Sequence, residues 1–268
     1  EKDSVLYPWH GLNLKTYGMR KGEVVTLTSG TGQGKSSVIR NWEKWLLDQG
    51  HSVGIVALEE NVAQTAKSLM GIHMEIPHHL WKDQGVTEDQ KREAFDATVG
   101  NGRCVLYDHF GSMDSENLLS RIRYMAVGMG CSHIFLDHLS IVISGIGGGD
   151  ERRLLDNTMT KLRSLVEELQ ISLIIVSHLK RPEGRSHEEG GQVSLAHLRG
   201  SGAIAQLSDI CIALERDQQD EARKNITTLR VLKNRYTGDT GVACSVSYNP
   251  DTGLLAEYDE AESEEVPF

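Results

Sequence analysis

Between positions 29 and 36 the chain reads Ser-Gly-Thr-Gly-Gln-Gly-Lys-Ser. Glycine at alternate positions lets successive backbone N–H groups curl inward, and the run ends on a cation and a hydroxyl, a composition suited to cradling a polyphosphate. On this reading the loop Ser29, Gly30, Thr31, Gly32, Gln33 and Gly34, with Ser37 behind it, wraps the β-phosphate. Lys35 reaches the β and γ phosphates, and Ser36 ligates Mg²⁺. The strict pattern has glycine where Ser29 stands, but a small residue there leaves the flexible backbone to the three glycines that follow. A glycine-rich turn with a merely solvated lysine would use the same letters. The context argues otherwise, because an apolar run precedes the loop and a helix-like stretch follows it.

Phosphoryl chemistry needs further groups nearby. Asp137 ends the apolar run HIFLD and is placed to organise a metal-bound water, although a strand-terminal aspartate can also simply cap a turn. A general base must hold the attacking water, and VALEE ends on Glu59 and Glu60. Glu59 is favoured as base, and period-two alternation sets it on the face of Ala57, but spacing does not settle which glutamate points at the nucleotide and Glu60 stays open. His178 closes ISLIIVSH at the strand end where open α/β sheets bind ligands, so it can sense a γ-phosphate. Residue type alone equally suits a histidine bonded to a backbone carbonyl.

These groups require elements to hold them. EVVTLTSG, SVGIVALEE, RCVLYD, SHIFLDHLSIV and ISLIIVSH read as strands, alternating with helices over about 34–49, 62–70, 115–130 and 152–169. That alternation gives βαβ units, hence an α/β fold with a mainly parallel sheet and helices on both faces. A polar stretch from Leu179 to Ala196 interrupts it, and a loop of such length in a compact domain is usually functional. The last third, ICIALER, ITTLRVLKNR and GVACSVSYNP, has turn-like links and reads as antiparallel strands at the C-terminal edge. We expect an N-terminal linker or subunit-contact segment at 1–20, one α/β domain at 21–256, and an acidic disordered tail at 257–268.

The chain resembles the helicase domain of the phage T7-type primase-helicases, related to the mitochondrial Twinkle helicase and the bacterial DnaB-type helicases. The resemblance runs from about Gly11 to Leu254 on SGTGQGKS, VALEE, LDHLSIV, DNTMTKL, SHLK, HEEG, LRGSGAIAQLSD, ALER and NRYTGDTG, in that order. It implies a RecA-like P-loop core in a hexameric or heptameric ring that hydrolyses ATP or dTTP with Mg²⁺ and walks on single-stranded DNA. By resemblance Lys35 and Ser36 hold phosphate and metal, Glu59 is the base, Asp137 the metal-organising acid and His178 the γ-phosphate switch. Gln206 resembles a second γ-phosphate sensor, Arg235 an arginine finger reaching the neighbouring subunit, and Tyr248 the residue packing on the base. Lys180, Arg185, Arg199 and Gly200 match positions that touch DNA. MEIPHHL departs from the pattern by lacking arginines for the nucleotide sugar. The other readings are a RecA-type recombinase forming filaments on DNA and, without a visible phosphoacceptor lid, a small-molecule kinase.

Bulk composition agrees with a nucleic-acid motor only after its charge is mapped. The net charge is −10, yet Glu257, Asp259, Glu260, Glu262, Glu264 and Glu265 crowd the end; without those six acids the body carries about −4 and tolerates a local basic patch. The acidic tail ends Val-Pro-Phe and suits docking onto a replicative polymerase or primase, or plain solubilisation. Cys104, Cys131, Cys211 and Cys244 show no metal-binding or disulfide spacing. No apolar run reaches the roughly 20 residues of a membrane span, so the expected place is cytoplasmic, for a phage protein the cytoplasm of its bacterial host.

Overall fold

The computed structural model describes residues 3–108, 114–139, 148–179, 186–198 and 202–258, with the backbone alone over 148–151. The parallel strands are β3 (Val24–Ser29), β4 (Val53–Ala57), β5 (Cys104–Leu106), β6 (His133–Asp137), β7 (Ser172–His178) and β8 (Ile210–Glu215). Antiparallel strands β9 (Ile226–Asn234), β10 (Gly241–Tyr248) and β11 (Leu255–Tyr258) extend one edge, giving the order β11-β10-β9-β8-β3-β7-β6-β4-β5. Helices α2 (Lys35–Asp48), α3 (Val62–Met74), α5 (Ser115–Arg123), α6 (Gly148–Leu169) and α7 (Gly202–Leu207) cover its faces, and α4 (Glu88–Ala97) packs on α3. The mainly parallel α/β architecture is thus as expected.

The sheet is apolar on both faces because each central strand supplies two cores by alternation. Val25, Leu27, Ile55, Phe135, Ile174 and Val176 join α2 in one cluster. Val24, Val56, Ile134, Leu136, Leu173 and Ile175 join α5 and α6 in the other. Trp42 of α2 anchors the first, set edge-on to Phe135 at 5.4 Å between ring centroids and tilted on Tyr7 at 5.0 Å. Among the described residues no helix is long and apolar enough to cross a membrane.

At both ends, residues outside the expected 21–256 take part in the fold. The segment read as a linker contributes Tyr7, Trp9, Leu12 and Met19 to the first core. It forms β1 (Ser4–Val5), α1 (His10–Thr16) and β2 (Met19–Arg20), with β1 and β2 paired antiparallel. At the other end the chain stays ordered past residue 256, since β11 pairs with β10 through Ser245↔Tyr258. Glu257, counted with the tail acids, accepts hydrogen bonds from the backbone N–H groups of His10 and Gly11 at 2.8 Å each. A carboxylate there satisfies donors that the first turn of α1 leaves open. The tail from 259 onward lies outside the described residues.

His133 opens β6 at the sheet end away from the glycine-rich loop, and burial pushes its imidazole down to about 3, with His51 and Lys21 adding repulsion. The unfolded chain takes up this proton near its ordinary value, so stability is whole above about pH 6.5 and lost as pH falls toward 3. Urea midpoints at pH 7.5 and 5.0 should show His133→Leu less acid-sensitive than the parent, by about 2 kcal/mol at pH 5.

Candidate functional site

Ser29 ends β3 between two neighbours, opposite His178 of β7 and Leu214 of β8. The chain then turns through Gly32 (φ +70°) and Gly34 (φ +87°), left-handed angles that glycine adopts without strain, into α2 at Lys35. A second loop lies on this turn. The Gln33 amide donates to the His187 carbonyl at 2.8 Å, and a Cβ at Gly30 would come within 2.7 Å of His187 Cβ. Gln218 Nε2 donates to the Thr31 carbonyl at 3.2 Å. Gln33 therefore fastens the P-loop to the stretch that follows His178, whose base is closed by a bridge between Leu179 and Leu198.

The charged groups converge over Lys35. Its ammonium lies 2.7 Å from His178 Nδ1. His138 Nε2 is 2.8 Å from Glu59 Oε1, His178 Nε2 is 3.8 Å from the same oxygen, and the two imidazoles meet edge to face at 4.2 Å. Asp137 stands beside Ala57 in register, next to the strand end that carries Glu59. Burial raises the Asp137 carboxyl above its usual range against the pull of the Arg40 guanidinium. Burial likewise lowers the Lys35 ammonium, opposed by Asp137 and Glu59. A phosphate and a cation entering here would relieve both burial penalties.

The two glutamates of VALEE separate by their partners. Arg40 pairs with Glu60, whose Oε1 also accepts from Thr65 Oγ1 at 2.6 Å. Glu59 is half exposed and faces Lys35, His138 and His178. The chemistry of the donors sorts possible cations. The Asp137 carboxylate and Ser36 hydroxyl are hard oxygen donors of the kind Mg²⁺ takes. Glu59, His138 and His178 place one oxygen and two ring nitrogens within 4.8 Å of one another, a mixed set for a softer ion.

Beside the start of α2 lies a cavity of about 330 Å³ lined by Ser36, Ser37, Arg40, Gln64, His78 and Tyr248, among others. The structure thus brings Tyr248 to the P-loop, and histidine lines the space where the sequence lacks arginine. Arg216 was missed by sequence reasoning. Its guanidinium comes within 3.8 Å of where a Gly34 Cβ would sit, and burial lowers its pKa while Tyr248 opposes. Its position just after β8, beside the P-loop strand, was the available signal. His138, one residue past Asp137, was missed too.

Two expected residues stand elsewhere. Arg235 follows β9 at the start of β8, its guanidinium on Asp209 Oδ1 at 3.0 Å and on the Gln206 carbonyl at 3.1 Å. Asp209 in turn accepts the Val24 N–H at 2.8 Å, at the beginning of β3. The length of β3, about 17 Å at 3.3 Å per residue, separates this corner from Ser29. Neither Arg235 nor Gln206 joins the P-loop of its own chain, which removes the ground for Gln206 as a sensor there. Lys180, Arg185, Arg199 and Gly200 lie outside the described residues.

The strand order, the glycine-rich turn and the acids at the ends of adjacent strands define a RecA-like P-loop nucleoside triphosphatase domain. A solved DnaB-like replicative helicase, described with its interactions with primase, matches it with a TM-score of 0.81 at 20% identity, covering 97% of this chain and 64% of that one. The DnaB-like helicase C terminal domain model matches residues 7–254, and the chain belongs to that family. The DNA helicase/primase of enterobacteria phage T3 is 43% identical over 250 residues, 91% of this chain and 44% of that protein. A probable plasmid replicative DNA helicase of Chlamydia psittaci is 25% identical over 249 residues, 91% of this chain and 53% of that protein. The chain therefore spans about half the length of these two curated relatives, or less.

Proposed function

We propose that the chain is the motor of a ring-shaped replicative DNA helicase, hydrolysing a nucleoside triphosphate between adjoining copies to move along single-stranded DNA. One observation carries this reading. Lys35, His178, Glu59 and Asp137 lie together beside the P-loop, while Arg235 sits on the far end of the same sheet with its side chain 50% exposed. A second copy is the natural recipient of that guanidinium.

The triphosphate is held by the backbone N–H groups of residues 30–36, with Lys35 leaving His178 for the β and γ oxygens. Ser36 and Asp137 would hold Mg²⁺, which would supply positive charge to those oxygens. Tyr248 packs on the base. Glu59 takes a proton from the water that attacks the γ-phosphorus as the bond to the β–γ bridging oxygen breaks, and the neighbour's Arg235 stabilises the charge that shifts onto the leaving group. His178 then loses its phosphate partner, and the segment beginning at Leu179 carries that change to Lys180, Arg185, Arg199 and Gly200 on the DNA backbone. Such contacts track phosphate without reading bases. A hexamer or heptamer would line its channel with them, and the acidic tail from 259 would meet a polymerase or primase.

The test is hydrolysis and unwinding by the purified chain with ATP or dTTP. Single-stranded DNA should stimulate turnover, and a forked duplex should be opened without strand exchange. Brisk turnover by a monomer, indifferent to DNA, would refute the proposal; filaments that exchange strands would favour the recombinase.

A further inference from the structure

We infer that His138 is a positioning residue that aims the Glu59 carboxylate at the attacking water, a role that rests on Glu59 being the base. Glu59 needs such help. It stands just beyond β4, its side chain is half exposed, and a long carboxylate in water spreads over several rotamers. Its Oε1 is fixed by His138 Nε2 at 2.8 Å.

His138 is built for the task. It follows β6 immediately, is 8% exposed, and packs its ring edge to face against His178 at 4.2 Å and 88°. An ionised carboxylate only accepts hydrogen bonds, so the proton of this contact belongs to Nε2. Nδ1 is buried with no hydrogen-bond partner among the described residues, so the ring's one polar contact is the one to Glu59. That contact holds Oε1 and leaves Oε2 to the water. Because His178 rests on Lys35, the base, the sensor and the P-loop lysine form one contiguous set.

Steady-state turnover with single-stranded DNA and equilibrium nucleotide binding are measured on His138→Leu, His138→Gln, Glu59→Gln and the Glu59→Gln/His138→Leu double variant. Glutamine sets an amide N–H near the place of Nε2; leucine fills the volume without a donor. We expect His138→Leu to lower kcat about 10- to 100-fold, the range for lost support of a site residue. KM and nucleotide affinity should stay within about twofold, and His138→Gln should recover most of the rate. In the Glu59→Gln background His138→Leu should add little, since the group it serves is gone. An unchanged kcat in His138→Leu, a loss confined to KM, or equal loss in His138→Gln overturns the inference. Glu59→Gln with turnover intact removes the base assignment itself; an inactive Glu59→Gln beside an active His138→Leu removes only the positioning role.

Discussion

Arg235→Ala protein should bind nucleotide as the parent does and hydrolyse it about 10³-fold or more slowly. The magnitude is that of a cation supplied in trans to a transferring phosphoryl group, about 10³ to 10⁵ in rate. Folding should survive, because Asp209 keeps the Val24 N–H at 2.8 Å and Arg163 at 3.8 Å once Arg235 is gone. Binding should survive because the residue stands the length of β3 from its own P-loop. Fluorescent-nucleotide titration beside single-turnover hydrolysis separates the two effects. A variant that also fails to bind nucleotide would make Arg235 a structural anchor of Asp209.

The second large effect falls on Glu59. Glu59→Gln keeps the size and polarity of the side chain but cannot take a proton, so turnover should drop about 10²- to 10⁴-fold with nucleotide binding retained. Glu60→Gln is the control and should behave differently. Glu60 is an ion-pair partner of the buried Arg40, which also bonds Glu43, itself pushed up to about 7 by burial. Weakening that pair should show as lost stability or altered nucleotide affinity, with the chemical step preserved. Turnover lost in Glu60→Gln and kept in Glu59→Gln would exchange the two roles.

The parts of the site that the sequence made legible are those written in local pattern. Largely apolar runs end at or just before Ser29, Glu59, Asp137 and His178, and each of these lies at or just beyond the carboxyl end of a parallel strand. Strand order is not local: nothing in the spacing says that Ser29 lies beside His178, a pairing set by packing between distant segments. His138 hid because an aspartate before it already explained the end of its strand. Arg216 hid because its value lies in what the fold sets under it. The N-terminal segment shows no period in the sequence, its core residues Tyr7, Trp9, Leu12 and Met19 falling at irregular intervals in turns and a short helix. Glu257 was counted as one more acid of a solvated run, whereas its carboxylate caps a helix 246 residues away in sequence. The helix over Glu88–Ala97 went unread although Thr87 and Gln90 form a capping box at its start.

In the proposed mechanism one copy's P-loop is served by another copy's arginine. Mixing Lys35→Ala protein, which has the finger but no competent loop, with Arg235→Ala protein, which has the loop but no finger, tests it directly. Hydrolysis in the presence of single-stranded DNA should rise well above either variant alone and peak at comparable amounts of the two, because mixed neighbours create an interface with both groups intact. Mixtures that give only the sum of two inactive proteins, or an Arg235→Ala protein active by itself, would contradict the account.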